Sequence, residues 1–462
     1  MKKTSVAPFT RCTQALQKAV RSVCYAGTTA ESRMAGITST LFGHYSELAE
    51  NRRHIITEQF FANLVNVFVA GNYLTGFLVL LNLNDFAIGN ITVITSLGNV
   101  FQVFSHLFLR KFRSKKNAIL CMRTLFYLID IVFIGVIPFF KASVPGRTTA
   151  VFICVFLMTF IGAVVAPGIS AWQMKSIPQE IRYDYFSFFT VALNVVVFAA
   201  SFCTAKLVDA FKSAGQELAG LSTLRLIAIA AAVFDLLWLR KIREYPEPEE
   251  KEKTSLRMFA EPLKNRKYRK SIKIGALWTF TSSITGQYYN LYLLKDLHVA
   301  YSTMALVGMS FIAALLLFVP VWNRVVKRIS CYKAIGFLMA GFLLHYFMLS
   351  LVTKQTIFLY PVGVFYSYIF YTGITVIINT LPFVNIPETG QIGHIGCYSA
   401  VTSIAAFFGA ETGTLFIAFT SGLRVRALGI MFSNEQMLMV FTALLMLGGV
   451  LCIFRTNRRS EE

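Results

Sequence analysis

A chain of 462 residues that is 55% hydrophobic, 14% aromatic and only 15% charged is neither disordered nor an ordinary soluble domain, since the latter carries about 25% charged residues. Lys and Arg total 44 against 23 Asp and Glu, a net charge of +21, so a nucleic-acid partner and a membrane must be told apart by where the charges lie. The 8 cysteines are scattered with no CxxC pair, and neither a zinc site, a disulfide framework nor any other metal or cofactor site is indicated.

The first 52 residues open with Lys2 and Lys3, but no apolar run follows, so they are not a secretory leader. Ala15, Leu16, Ala19, Val20 and Val23 recur at helical spacing beside Lys18 and Arg21. That pattern fits a helix lying on the inner leaflet, and a partly ordered tail fits the same residues. Apolar stretches then follow at 58–81, 86–108, 118–140, 149–171, 187–208 and 223–241, and again at 272–294, 302–322, 333–352, 357–380, 398–420 and 436–454. Each matches the roughly 20 residues that cross a hydrocarbon core about 30 Å thick. The links are short except for Arg240 to Lys270, which contains Pro246-Glu247-Pro248-Glu249-Glu250 and Lys264-Asn265-Arg266-Lys267 and reads as a solvated linker. The expected organisation is a cytoplasmic segment at 1–52, a six-helix bundle at 53–241, a linker at 242–271, a second six-helix bundle at 272–456 and a tail at 457–462.

The basic residues are split unevenly between the two sides of this map. The side holding both termini, the linker and the cluster Arg110, Lys111, Arg113, Lys115 and Lys116 outweighs the other by about four to one in Lys and Arg. The positive-inside rule places that side in the cytoplasm of a cell membrane. The excess charge is then a mark of topology. A nucleic-acid reading needs a basic face on a folded domain, and the short links hold none.

An internal echo supports duplication: Ser176-Ile177-Pro178-Gln179-Glu180 before the fifth stretch matches Asn385-Ile386-Pro387-Glu388-Thr389 before the eleventh. With six and six helices, a long charged central loop and cytoplasmic termini, residues 52–456 resemble the major facilitator superfamily. Trp172, Pro178, Arg182 and Phe186 are similar to the W-x5-P-x3-R-x3-F loop of a poorly characterised bacterial branch, and Gln287-Tyr288-Tyr289-Asn290-Leu291-Tyr292 to that branch's seventh helix. In the loop after the second helix, Arg110 and Arg113 remain, while Ser105, Leu109 and Phe112 stand where the superfamily carries Gly, Asp and Gly. The resemblance implies an all-α integral membrane protein, twelve transmembrane helices in two pseudo-symmetric bundles, and transport by alternating access. It implies no substrate class.

Polar residues in lipid are costly unless they face protein or water, so polar stripes mark interior faces. Helix 1 offers Gln59, Asn63, Asn66 and Tyr73; helix 2 Thr92, Thr95, Asn99, Gln102 and His106; helix 5 Thr190, Asn194, Ser201 and Thr204. Helix 7 offers Thr281, Thr285, Tyr288 and Tyr292, and helix 10 offers Tyr368, Thr372, Thr375 and Asn379. The same small polar groups also glue helices together. A path rich in amides, hydroxyls and tyrosines and poor in charge suits a neutral hydroxylated or amphipathic solute. Four carboxylates enter the apolar stretches: Glu58 at an edge and expected solvated, Asp130, Asp235, and Glu411 near the middle of helix 11. Glu411, with Asp130 behind it, is the expected group for a coupling proton or cation, and Arg123 is expected to pair with Asp235. Trp172, Pro178 and Arg182 are expected in a cytoplasmic hinge or gate, with an interfacial anchor as the other role for Trp172. The whole reads as a monomeric secondary transporter of a small solute in the lipid bilayer, not an enzyme. A lipid-acting membrane enzyme would need an acid, base or nucleophile cluster in its loops, and a sensor or scaffold would need a larger soluble domain.

Overall fold

The structure, a computed structural model, describes residues 47–109, 111–112, 114–178, 182–244, 261–286, 288–329, 331–383, 391–423, 425–427 and 430–458. The expected interfacial helix around Ala15 to Val23 lies outside them.

Helices occupy each expected stretch. The first six are α1 (Glu47–Leu80, with a break at Ala70), α2 (Asp85–Val100, Phe101–Phe104 and Ser105–Leu109), α3 (Lys115–Phe139), α4 (Val144–Ser176), α5 (Arg182–Ser213) and α6 (Glu217–Lys241). The second six are α7 (Arg266–Ser283 and Tyr288–Lys295), α8 (Tyr301–Ile329), α9 (Cys331–Ser350), α10 (Leu359–Thr380), α11 (Gln391–Phe419) and α12 (Asn434–Arg458). Among the described residues, 10 helices are long and apolar enough to cross a membrane. The two expected stretches not among them are α2 and α7, each interrupted partway. Short polar side chains start several helices where free N–H groups need acceptors: Asn84 accepts from Ala87 N at 2.8 Å, and Asn265 from Lys267 N and Tyr268 N at 3.1 and 3.2 Å. A two-stranded hairpin, Val425–Ala427 against Ile430–Phe432, joins α11 to α12, an addition to the all-helical expectation.

Several helices outrun their apolar stretches. α1 begins at Glu47 rather than near residue 58, and α4 and α5 extend to Ser176 and Ser213. Hydropathy registers only the lipid-facing part of a helix, whereas helix ends are set by caps and by contacts beyond the bilayer.

The chain alternates between two ends of the molecule: the linker end, where α6 stops and α7 starts, and the far end. The hydrophobic core differs between them. At the far end, one continuous core joins both halves, with Tyr73, Phe77 and Ile88 of the first half packed among Tyr288, Leu291 and Tyr301 of the second. Toward the linker end the core divides. One part holds Ile55, Ile119, Trp172 and Leu239 of the first half. The other holds Tyr268, Trp278, Ile335 and Met446 of the second.

Candidate functional site

At the far end, backbone and side chains lock the halves together. The Asp209 carboxylate of α5 accepts from the backbone N–H groups of Tyr301 and Ser302 at 3.0 and 2.8 Å, capping the first turn of α8 across the seam. The Tyr301 hydroxyl donates to Glu217 at 3.0 Å, and its ring stacks on Tyr73 with centroids 5.5 Å apart. Lys295 at the end of α7 donates to Asp85 at the start of α2 over 2.6 Å. Burial works against the Lys295 ammonium, but the Asp85 carboxylate outweighs it and holds the group above the ordinary lysine range. Glycine permits the close approach: a Cβ at Gly76 would overlap the Tyr301 ring, and one at Gly89 the Tyr288 ring.

A cavity of about 380 Å³ lies in the far half of the second bundle, with Asn72 of α1 completing its wall. Its walls are ring faces (Tyr289, Tyr360, Tyr368, Tyr371 and Phe342) interleaved with Asn290 and Ser367. Among the described residues, none that line it carries a formal charge. The Tyr289 hydroxyl is buried with no hydrogen-bond partner among the described residues, a group placed to meet a ligand. Tyr368 stands edge-on to Phe311 at 5.2 Å, and Tyr371 lies 6.2 Å from Phe342.

A second cavity, of about 310 Å³, sits in the first bundle between α1, α3 and α4 and is lined by Asn63, Asn66, Arg123, Tyr127, Asp130 and others. Behind it three charges meet. Arg123 Nε lies 3.3 Å from Asp235 Oδ2, and the same guanidinium lies 3.8 Å from Glu58 Oε1. The Tyr127 hydroxyl donates to Asp235 at 2.7 Å, and Gln59 donates to Glu58 at 2.9 Å. The expected Arg123–Asp235 pair is therefore present. The expectation that Glu58 is solvated is overturned: it is fully buried, because α1 begins at Glu47 and so carries Glu58 about three turns into the bundle. About two helical turns further along α3, Arg225 of α6 donates to the Asp130 carbonyl at 2.6 Å and lies 4.4 Å over the Phe77 ring. That carbonyl belongs to a π-helical segment, Leu128–Phe133, whose wide turn displaces the usual backbone partner.

The remaining sequence candidates fall into three groups. Asn63 and Asn66 line the first-bundle cavity and Tyr368 the second-bundle one. Tyr73 donates to Ser201 O at 3.0 Å, Tyr292 to Val352 O at 2.8 Å and Thr372 to Ile369 O at 3.1 Å, so these three tie helices or backbone within the packed interior. Tyr288 is buried against Gly89, while Asn194 and Thr285 are half-buried and Asn99 and Gln102 exposed. Glu411 is half-buried. Its neighbours Gly409 and Gly413 press on the Phe280 and Ile284 carbonyls of α7, where any Cβ would overlap backbone. Trp172 is buried in the linker-end core of the first bundle rather than set at an interface. Pro178 follows the end of α4, and Arg182 begins α5. The end of α4 is moored at Ser176, which accepts from Asn51 at 2.7 Å through its hydroxyl and from Arg52 at 3.0 Å through its carbonyl. The aromatic walls of the second-bundle cavity and the joint use of Arg123 by Glu58 and Asp235 escaped the sequence reading. Tyr289 and Asn290 stand within the Gln287–Tyr292 motif, and Glu58 sits at the edge of an apolar run, where an acid looks solvated.

The sequence profile of the Major Facilitator Superfamily matches residues 59–410. No curated protein matches the chain in sequence. Among solved structures, a mutant of the nucleoside transporter NupG superposes with a TM-score of 0.65 at 12% identity, covering 88% of this chain and 99% of that one. The POT family transporter PepTSo does so with 0.67 at 14%, covering 89% and 98%. A partially occluded, inward-open xylose transporter XylE from E. coli gives 0.59 at 12%, covering 87% and 95%. At these identities the likeness is one of fold.

Proposed function

The chain belongs to the major facilitator superfamily and is a multi-pass membrane transporter, and from that premise we propose that it carries a small, uncharged, ring-bearing solute by alternating access. Twelve crossings are read from the twelve apolar stretches, and the excess of Lys and Arg on the linker side puts both termini and the linker in the cytoplasm of a cell membrane. The two bundles, near residues 53–241 and 272–456, are the rocking units, and the protein works as a monomer rather than as an enzyme.

The observation that carries the rocking motion is the uneven core. The halves share one core at the far end and hold separate cores at the linker end. That is the packing of a state open toward the linker side, and superfamily members alternate such states by moving one half against the other. The solute class rests on the second-bundle cavity. Tyrosine and phenylalanine faces stack flat rings, amides and hydroxyls orient their edges, and a phosphate ester would need the Arg or Lys that the described walls do not offer. The nucleoside transporter that shares the fold is named for a solute of this kind.

Thermal stability of the purified protein tests the class. Uridine is expected to raise the melting temperature and uridine monophosphate to leave it unchanged, with the uridine shift lost in Tyr368→Leu. Stabilisation by uridine monophosphate or by dialanine, or none by uridine, overturns it.

A further inference from the structure

We propose that Glu58 and Asp235 form a proton-binding site, one proton held between the two carboxyl groups beside Arg123, separate from the solute cavity in the other bundle. Two carboxylates share this one guanidinium, at 3.3 and 3.8 Å. Both acids are fully buried, and among the described residues Arg123 is the cation within ion-pair distance of either, so this group of three carries one negative charge in excess where charge is expensive. Two atoms show where the missing positive charge belongs. Glu58 Oε1 and Asp235 Oδ1 are buried with no hydrogen-bond partner, and the two side chains lie within hydrogen-bonding reach of each other. As carboxylates, both can only accept. A proton arriving from water forms an O–H bond on one of them, donates to the other and brings the cluster to neutrality, with Arg123 staying charged.

The surroundings favour a proton over a larger ion. Gln59 of α1 and Tyr127 of α3 already hold the outer oxygens of Glu58 and Asp235. Tyr185 of α5 lies near Glu58, with Gln173 of α4 and Arg52 of α1 around it. His54 turns instead to Trp238, at 5.4 Å, and Asp130 faces Arg225 one step deeper. The geometry resembles no cage of oxygens around a metal, which takes six or more ligands for Ca²⁺ or Mg²⁺. Access exists from one side: Arg123 lines the cavity of about 310 Å³, which has room for water.

The proposal rests on the transporter reading only for its purpose, and its test needs no solute. Infrared difference spectra of the full-length protein in lipid, recorded across a pH series, are expected to show a protonated-carboxyl C=O band that bleaches as pH rises. The band should vanish in Glu58→Gln and in Asp235→Asn and persist in Asp130→Asn and Glu411→Gln. Tyr127→Phe, which keeps both acids and removes one hydrogen bond, should move the pH at which the band is lost, and this variant serves should the carboxyl variants not fold. A wild-type protein without the band, a band that survives in folded Glu58→Gln and Asp235→Asn, a pH dependence unmoved by Tyr127→Phe, or a band abolished by sodium at constant pH overturns the assignment. Failure of uridine to stabilise the protein would leave the band untouched, so the two readings fail separately.

Discussion

Asp209 closes the far seam with one carboxylate, accepting two backbone N–H groups at the start of α8. Replacing a helix-capping side chain by Ala costs about 1 kcal/mol. Because the cap crosses between halves, that loss falls on the closed state of the far end alone. Asp209→Ala is therefore expected to raise the open population about five-fold, read as faster reaction of a cysteine placed at Ser367 with an impermeant thiol reagent. An unchanged rate would show that the cap does not hold the gate. Gly413 of α11 and Gly448 of α12 make a sharper contrast. Gly413→Ala must push the Ile284 carbonyl, which is backbone and cannot turn aside, whereas Gly448 has open space where its Cβ would go. Overpacking costs about 1–3 kcal/mol, so Gly413→Ala should lower the melting temperature and Gly448→Ala should not. Residues of this kind were half legible. Gly409 and Gly413 stand at the spacing that lets membrane helices touch, and Glu411 between them drew attention for its charge. Asp209 is not legible in this way, since an acid at the end of an apolar stretch looks solvated until a partner helix from the other half is placed on it.

At the scale of elements, hydropathy found the helices and lost their irregularities. The break in α7 at Ile284, Thr285 and Gly286, the last at a φ of +43°, interrupts a stretch that averages as apolar. The π-helical turn of α3 leaves no periodic trace over 6 residues. Yet that turn explains Arg225, a charged residue at mid-helix that had no role in the sequence. Arg225 reaches across to the Asp130 carbonyl, which the wide turn frees. Arg225→Met strips the hydrogen-bond partner from the buried Asp130 carbonyl, which costs about 1–3 kcal/mol, and takes away the cation nearest the Asp130 side chain. Adding Asp130→Asn to Arg225→Met should recover part of the loss, because the second change removes the stranded charge. A double-mutant cycle by thermal melting measures this, and strictly additive losses would show that the two side chains do not act together.

For the whole molecule, topology is the most legible property and the one the interior cannot report. Helices pack the same way whichever end faces the cell, so orientation is written in the loops, through the attraction of basic residues for the cytoplasmic side. Here the linker end carries Arg240, Lys241 and Arg243 at the close of α6 and Lys264, Arg266, Lys267, Arg269 and Lys270 at the start of α7. The far end is more thinly basic, with Lys141 before α4, Arg147 in its first turn, Lys206 and Lys212 near the end of α5, and Lys295, Lys354, Arg424 and Arg426 in the second half. The direction of opening hangs on this assignment. With the linker end in the cytoplasm, the shared core at the far end is the outer gate, and the divided cores face inward. With the opposite orientation, the same packing would be an outward-open state, and Asp209 would guard the cytoplasmic side. Cysteine labelling in a background without the native cysteines decides between them. An impermeant reagent added to intact cells should modify a cysteine at Gly146 or Ser421, both exposed at the far end, and should reach one at Glu250 only after the membrane is permeabilised. Labelling at Glu250 in intact cells, with Gly146 and Ser421 silent, would invert the molecule. The gate assigned to Asp209 and the water path to Arg123 would then change sides with it, and the site at Glu58 and Asp235 would load its proton from outside the cell.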